Sequence, residues 1–166
     1  RLTGSRDSRF TDQFLVVAPN LTVRDRLSDA GGVDPKHPES VYVGFDLVPP
    51  QYSSLIGQLR VQVMNWHGLT PKEDPKHSVV KRGRESDKAF AKRVLTDLSD
   101  SGRIMVLNDE AHHAYRFPAD LKATGKDAEE VREATVWVSG LERIDNARGI
   151  LRCVDVSATP MYPGMF

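Results

Sequence analysis

The chain has 166 residues, of which 39% are hydrophobic and 28% charged, and this composition is ordinary for one globular domain. Its 23 basic residues balance its 23 acidic residues, so attraction to a polyanion must come from a local patch. The single Cys153 excludes an internal disulfide, and no apolar run is long enough to span a membrane, so we expect a cytoplasmic protein.

Compact apolar runs, each followed by turn residues or a helical pattern, predict strands that are buried on both faces of a parallel sheet. The runs are 14–17, 61–64, 104–107 and 153–156, and 41–43 is a shorter candidate. The stretches 31–40 and 68–84 are rich in Pro, Gly and Lys, which predicts surface loops.

Two helices are predicted between these runs. Ser86 can cap the first and Gly102 can end it, with an apolar stripe of Ala89, Phe90, Val94, Leu95 and Leu98 between them. Asp127 with Glu130 resembles a capping box for the second helix, whose apolar positions recur at helical spacing until Gly149. Strands alternating with helices predict an α/β fold with a mostly parallel sheet.

The sharpest motif is Asn108-Asp109-Glu110-Ala111-His112, directly after the predicted strand 104–107. In open α/β sheets ligands bind at the carboxyl ends of the strands, and a carboxylate pair there is held rigidly. Asp109 could hold Mg²⁺, while Glu110 could orient the water that attacks a terminal phosphate. The alternatives are an exposed acidic strand end, or a zinc site built from His112, His113 and a distant His67 or His77.

A second polar motif, Ser157-Ala158-Thr159-Pro160, follows the predicted strand 153–156 in the same way. Polar loops at neighbouring strand ends can touch, so we expect the hydroxyls of Ser157 and Thr159 to lie within hydrogen-bonding reach of His112. Such a contact could report the state of a phosphate site to the rest of the protein.

The longer strings 108–116 and 155–162 resemble motifs II and III of superfamily 2 DEAH-type helicases, in particular the motor subunit of type III restriction enzymes. The string 14–22 is similar to motif Ia of that family, and the strand ending at His67 lies where a further DNA-facing loop is expected. The resemblance covers nearly the whole chain, from about residue 9 onward.

The resemblance implies an incomplete RecA-like fold, with residues 1–166 forming part of the first motor domain of an ATP-dependent DNA helicase or translocase. It implies Asp109 for Mg²⁺, Glu110 for water activation, and His112 with Ser157 and Thr159 for coupling ATP hydrolysis to movement. Pro19, Asn20 and Thr22 would face the nucleic acid. The other reading is a plain strand-to-helix turn in which Asn20 or Thr22 caps a helix from Val23 to Ala30, and one residue can serve both roles.

Several parts of such a motor are absent from the sequence. No G-x-x-x-x-G-K-[ST] phosphate loop occurs, and neither a second motor domain nor a nuclease pattern is present. Both ends of the chain look cut from something longer, and a methyltransferase or specificity subunit is a conceivable partner. We therefore expect the 166 residues alone neither to hydrolyse ATP nor to unwind a duplex, and we expect an unpaired sheet edge beside 153–156 that favours association.

Two rival interpretations remain open. One is a degenerate motor domain that binds nucleic acid or protein without turnover. The other is an RNA-directed helicase, which would share every motif described above.

Overall fold

The computed structural model describes residues 7–29, 32–72, 85–115 and 125–158. Four strands form one sheet in the order β2-β1-β3-β4, and every neighbouring pair is parallel. The strands are β1 (Gln13–Ala18), β2 (Arg60–Asn65), β3 (Ile104–Asp109) and β4 (Ile150–Val156). The predicted α/β class with a parallel sheet is confirmed.

Helices occupy the connections between the strands. They are α1 (Leu21–Ser28), α2 (Val41–Gly44), α3 (Ser53–Ile56), α4 (Asp87–Val94), α5 (His112–Tyr115) and α6 (Lys126–Arg148), with single 3₁₀ turns at Pro50–Tyr52 and Trp66–Leu69. At 23 residues, α6 is the longest described helix, and its many charged side chains disqualify it as a membrane span. None of the other described helices could cross a bilayer either.

One face of the sheet carries the core. Leu15, Val17, Ile104 and Val106 are fully buried there, because alternate residues of a strand point to the same face. α4 and α6 pack together in this layer and contribute apolar side chains to the same cluster, among them Phe90, Val94, Trp137 and Ile144. A side chain at Gly140 would collide with Leu69, so this mid-helix glycine lets α6 approach the 3₁₀ turn closely.

The start of α4 matches its prediction, but its end does not. Ser86 Oγ accepts a hydrogen bond from Ala89 N over 3.3 Å, as expected of a cap. The helix ends at Val94, well before Gly102, because the side chain of the buried Gln62 of β2 takes up backbone groups that a further helical turn would have paired. Its Nε2 donates to Val94 O over 2.6 Å, and its Oε1 accepts from Asp97 N over 3.1 Å.

The predicted capping box of α6 is wrong. The helix begins at Lys126 with Gly125 at the N-cap position and no side-chain cap, so Asp127 lies inside the first turn. The predicted end is confirmed, since Gly149 follows the last helical residue with a φ of 80°, a left-handed conformation that glycine adopts easily.

The predicted short strand 41–43 is also wrong, because these residues form the helical turn α2. Gly44 N donates to Ser40 O over 2.8 Å, which closes the turn. An isolated run of three apolar residues carries no periodicity that could distinguish a strand from one turn of helix.

The side chain of Gln62 generates a prediction about stability. Replacing Gln62 with alanine leaves Val94 O and Asp97 N without their buried partner, which costs about 1–3 kcal/mol. We expect urea denaturation to show a decrease of that size in the free energy of unfolding. Gln51→Ala, the same change at an exposed glutamine, is the control, and equal values for the two variants would contradict the role assigned to Gln62.

Candidate functional site

The strand ends that carry the predicted motifs lie side by side along the carboxyl edge of the sheet. Ala18 of β1 pairs with Asn65 of β2, and Asp109 of β3 pairs with Val156 of β4. Because β3 lies between β1 and β4, its acid pair has the 19–22 segment on one side and Ser157 on the other.

The two acids differ in backbone conformation. Asp109 is the last residue of β3, and its Oδ1 accepts a hydrogen bond from Glu110 N over 3.1 Å. Glu110 has a φ of 51°, a left-handed conformation that costs a non-glycine residue roughly 1–2 kcal/mol. Immediately after it, Ala111 N donates to Val156 O over 3.0 Å, which fastens the acidic turn to the end of β4.

His112 connects the acidic turn with the hydroxyl of the neighbouring turn. Its Nδ1 lies 2.8 Å from Ser157 Oγ and 3.2 Å from Glu110 Oε2. A carboxylate only accepts hydrogen bonds, which favours the tautomer with its hydrogen on Nδ1. The predicted contact between His112 and Ser157 is therefore present, whereas Thr159 lies outside the described residues.

His113 faces α6 rather than the acid pair. Its Nδ1 lies 3.7 Å from Glu133 Oε1, and its ring packs against that of His112 with the centroids 4.5 Å apart. Burial raises the pKa of Glu133, and the neighbouring Glu130 and Glu129 raise it further. The helix thus places a poorly solvated carboxyl group behind the histidine pair.

The three predicted nucleic-acid contacts differ in exposure. Pro19 is buried, while Asn20 and Thr22 are exposed. Asn20 caps α1, since its Oδ1 accepts a hydrogen bond from Val23 N over 2.9 Å. The helix therefore begins at Leu21 rather than at the predicted Val23, and Thr22 lies in its first turn.

An apolar groove of about 410 Å³ lies on the face of the sheet opposite α4 and α6. Phe14, Val16, Leu107 and Val156 are among its lining residues, and Asp109 lines it as well. Val156 is 52% exposed, so this face is less covered than the core face.

The donor set at the acid pair fits Mg²⁺ better than zinc. Mg²⁺ is usually held by one or two carboxylates together with phosphate oxygens and water, and Asp109 and Glu110 supply carboxylates. Within the described ranges, no group of three or more His, Cys, Asp or Glu side chains is arranged to hold a metal ion. His67 is described and His77 is not, so the predicted zinc alternative has no support from the described residues.

Sequence reasoning missed the polar residues that support the site from behind. Asn108 and Asp155 belong to the motif strings 108–116 and 155–162, but the sequence assigned no role to either of them or to Glu133. Trp137 is fully buried in the core, and its indole Nε1 donates to Asn108 Oδ1 over 3.1 Å.

No protein-family model, curated protein or solved structure matches this chain.

The left-handed conformation of Glu110 generates a prediction. Glu110→Gly and Glu110→Ala both remove the carboxylate, but only glycine relieves the backbone cost, so we expect the glycine variant to be more stable by about 1 kcal/mol. Urea denaturation of both variants measures the difference. An alanine variant as stable as the glycine variant would show that the turn relaxes.

The raised pKa of Glu133 predicts a pH-dependent effect. A raised carboxyl pKa means that the folded state holds its proton more tightly, so this stabilisation is present at low pH and is lost as pH rises through the raised value. We expect Glu133→Gln to raise the melting temperature at about pH 7, and the gain to shrink towards pH 3, where both side chains are neutral. Glu142→Gln, at an exposed position of α6 that does not act on Glu133, is the control, and a gain independent of pH would contradict this account.

Proposed function

We propose that the chain is part of the first, RecA-like motor domain of an ATP-dependent DNA helicase or translocase, resembling the motor subunit of type III restriction enzymes. One observation carries the proposal. The acid pair at the end of β3 is joined through His112 to Ser157 at the end of the adjacent strand. The resemblance to motifs II and III requires the two motifs to lie next to each other. His112 and Ser157, which are 45 positions apart in the sequence, are in contact as this requires.

The arrangement of the strands supports the same proposal. β3 carries the acids and lies between β1, which leads to Asn20, and β4, which leads to Ser157. In the described sheet β4 pairs only with β3. The proposal assigns the open side of β4 to the phosphate-loop strand of the parent motor, which makes the fold described here an incomplete RecA-like sheet.

Each residue then has a chemical task. Bound Mg²⁺ would supply positive charge against the phosphates of ATP, and Asp109 is the residue that would hold it. Glu110 accepts a hydrogen bond from the attacking water and orients it toward the terminal phosphate. His112 contacts both Glu110 and Ser157, so a change at Glu110 during hydrolysis alters the contact between His112 and Ser157. Thr159 is the second hydroxyl of this coupling motif.

The other assignments follow from the same proposal. The exposed Asn20 and Thr22 contact the DNA backbone, and the buried Pro19 shapes the turn that presents them. A helix start with a side-chain cap also suits a phosphate group. A methyltransferase or specificity subunit is the expected partner, and the cytoplasm is the expected location.

The test is ATP hydrolysis by the full-length protein. We expect Mg²⁺-dependent turnover that DNA stimulates, and a decrease in kcat of roughly 100-fold or more in Glu110→Gln. Asp109→Asn should raise the Mg²⁺ concentration needed for half-maximal turnover, and Glu142→Gln, which neutralises an exposed acid of α6, should leave kcat unchanged.

Two results would contradict the proposal. Stimulation by RNA instead of DNA would point to an RNA-directed helicase. No turnover with either nucleic acid would contradict a motor and leave the degenerate domain as the remaining interpretation.

A further inference from the structure

Asn108 is a fully buried polar residue at a point where three elements meet. Its Nδ2 donates to Asp155 Oδ1 over 2.7 Å, and its Oδ1 accepts from Trp137 Nε1 over 3.1 Å. Asn108 belongs to β3, Asp155 to β4 and Trp137 to α6. One amide group therefore connects the strand that carries the acid pair with its neighbouring strand and with the longest described helix.

The two partners determine the orientation of this amide. An indole N–H only donates and a carboxylate only accepts, so the carbonyl faces Trp137 and the NH₂ group faces Asp155. Aspartate at position 108 would still accept from Trp137, but it would repel Asp155. An apolar residue would leave the buried indole N–H of Trp137 without an acceptor, which is costly, and would remove the donor from the exposed carboxylate of Asp155.

This pairing lies directly behind the candidate site. Asn108 is adjacent to Asp109 in the chain and is the register partner of Asp155, which precedes Ser157 by two residues. The hydrogen bond therefore holds the two strand ends together just before His112 meets Ser157. On α6, Trp137 lies one helical turn from Glu133, the residue that faces His113.

We propose that Asn108 is a positioning residue for this site. It holds the Asp109–Glu110 turn against the end of β4 so that His112 reaches Ser157, and it connects both strand ends to α6 through Trp137. The inference rests on the proposed function for its effect on hydrolysis, whereas its effect on the His112–Ser157 contact is independent of that function.

Cys153 provides a built-in reporter for the pairing. Its Sγ lies 3.2 Å from Asn108 Nδ2 and 3.8 Å from Asp155 Oδ1. Partial burial, followed by the negative charge of Asp155, raises the pKa of the thiol to about 11, although the residue as a whole is exposed. The pH dependence of alkylation at Cys153, followed on the peptide that contains it, therefore reports on the pairing.

The experiment compares Asn108→Asp, Asp155→Asn and the reciprocal double variant in the full-length protein. The single change at 108 opposes two carboxylates, and the double variant restores a carboxylate–amide pair with the roles exchanged. We expect Asn108→Asp to lower kcat roughly tenfold to hundredfold at saturating ATP with little change in KM, because a displaced catalytic turn loses rate. The double variant should recover kcat to within about threefold of the wild type.

Alkylation and a matched control accompany the kinetics. The pH midpoint for alkylation of Cys153 should rise in Asn108→Asp, which adds a negative charge, and fall in Asp155→Asn, which removes one. Asn146→Asp, the same chemical change at an exposed asparagine of α6, should leave kcat and the midpoint as in the wild type.

Two kinetic results would overturn the inference: a folded Asn108→Asp variant with wild-type kcat, or a double variant no better than Asn108→Asp. Should Asn108→Asp fail to fold, Asp155→Ala removes only the partner on β4 and must show the same loss of kcat.

If the wild-type protein itself does not hydrolyse ATP, the proposed function fails and the imidazole NMR signals of His112 decide the inference. The same displacement of these signals in Asn108→Asp as in Ser157→Ala supports positioning, and unchanged signals refute it.

Discussion

The parallel pairing of β3 with β4 is the constraint on which the candidate site depends. It brings Asp109 opposite Val156, and it allows Ala111 N to bond Val156 O just beyond the last strand residue. A one-residue slip would turn every side chain of β4 to the other face of the sheet and would separate Asp155 from Asn108. The distance between the acid pair and Ser157 is therefore determined by the register. His112 contacts Ser157 because the sheet already holds the two strand ends side by side.

The features of the site that cost folding free energy lie next to a well-packed core. The left-handed Glu110, the poorly solvated Glu133 and the buried amide of Asn108 each cost stability or demand a partner. They lie at one end of a layer in which Trp137, Leu15 and Val106 are fully buried. Since strain persists only where the surrounding structure over-determines it, the rigid core explains how this edge can hold a non-glycine residue in a left-handed turn.

The elements that the sequence predicts well are those specified by local pattern. All four main strands were found because each contains a mostly apolar continuous run, but the predicted burial on both faces is wrong for β4, whose residues 152–156 are exposed. Ser86 and Gly149 mark helix ends because capping is local chemistry. The end of α4 could not be predicted, because Gln62 terminates that helix from a strand 32 residues away. The start of α6 could not be predicted either. Gly125, which has no side chain, occupies the N-cap position that the sequence pattern assigned to Asp127.

The candidate site divides along similar lines. The acid pair and Ser157 could be named because each belongs to a short motif directly after an apolar run, and their proximity followed from the rule that parallel strands end at one edge. Asn108 could not be assigned a role, since an asparagine at a strand end is ordinary and its partners lie 29 and 47 residues away. Reactive groups are visible in sequence because their chemistry is rare, whereas the groups that orient them are common residues whose function arises only from the neighbours that the fold supplies.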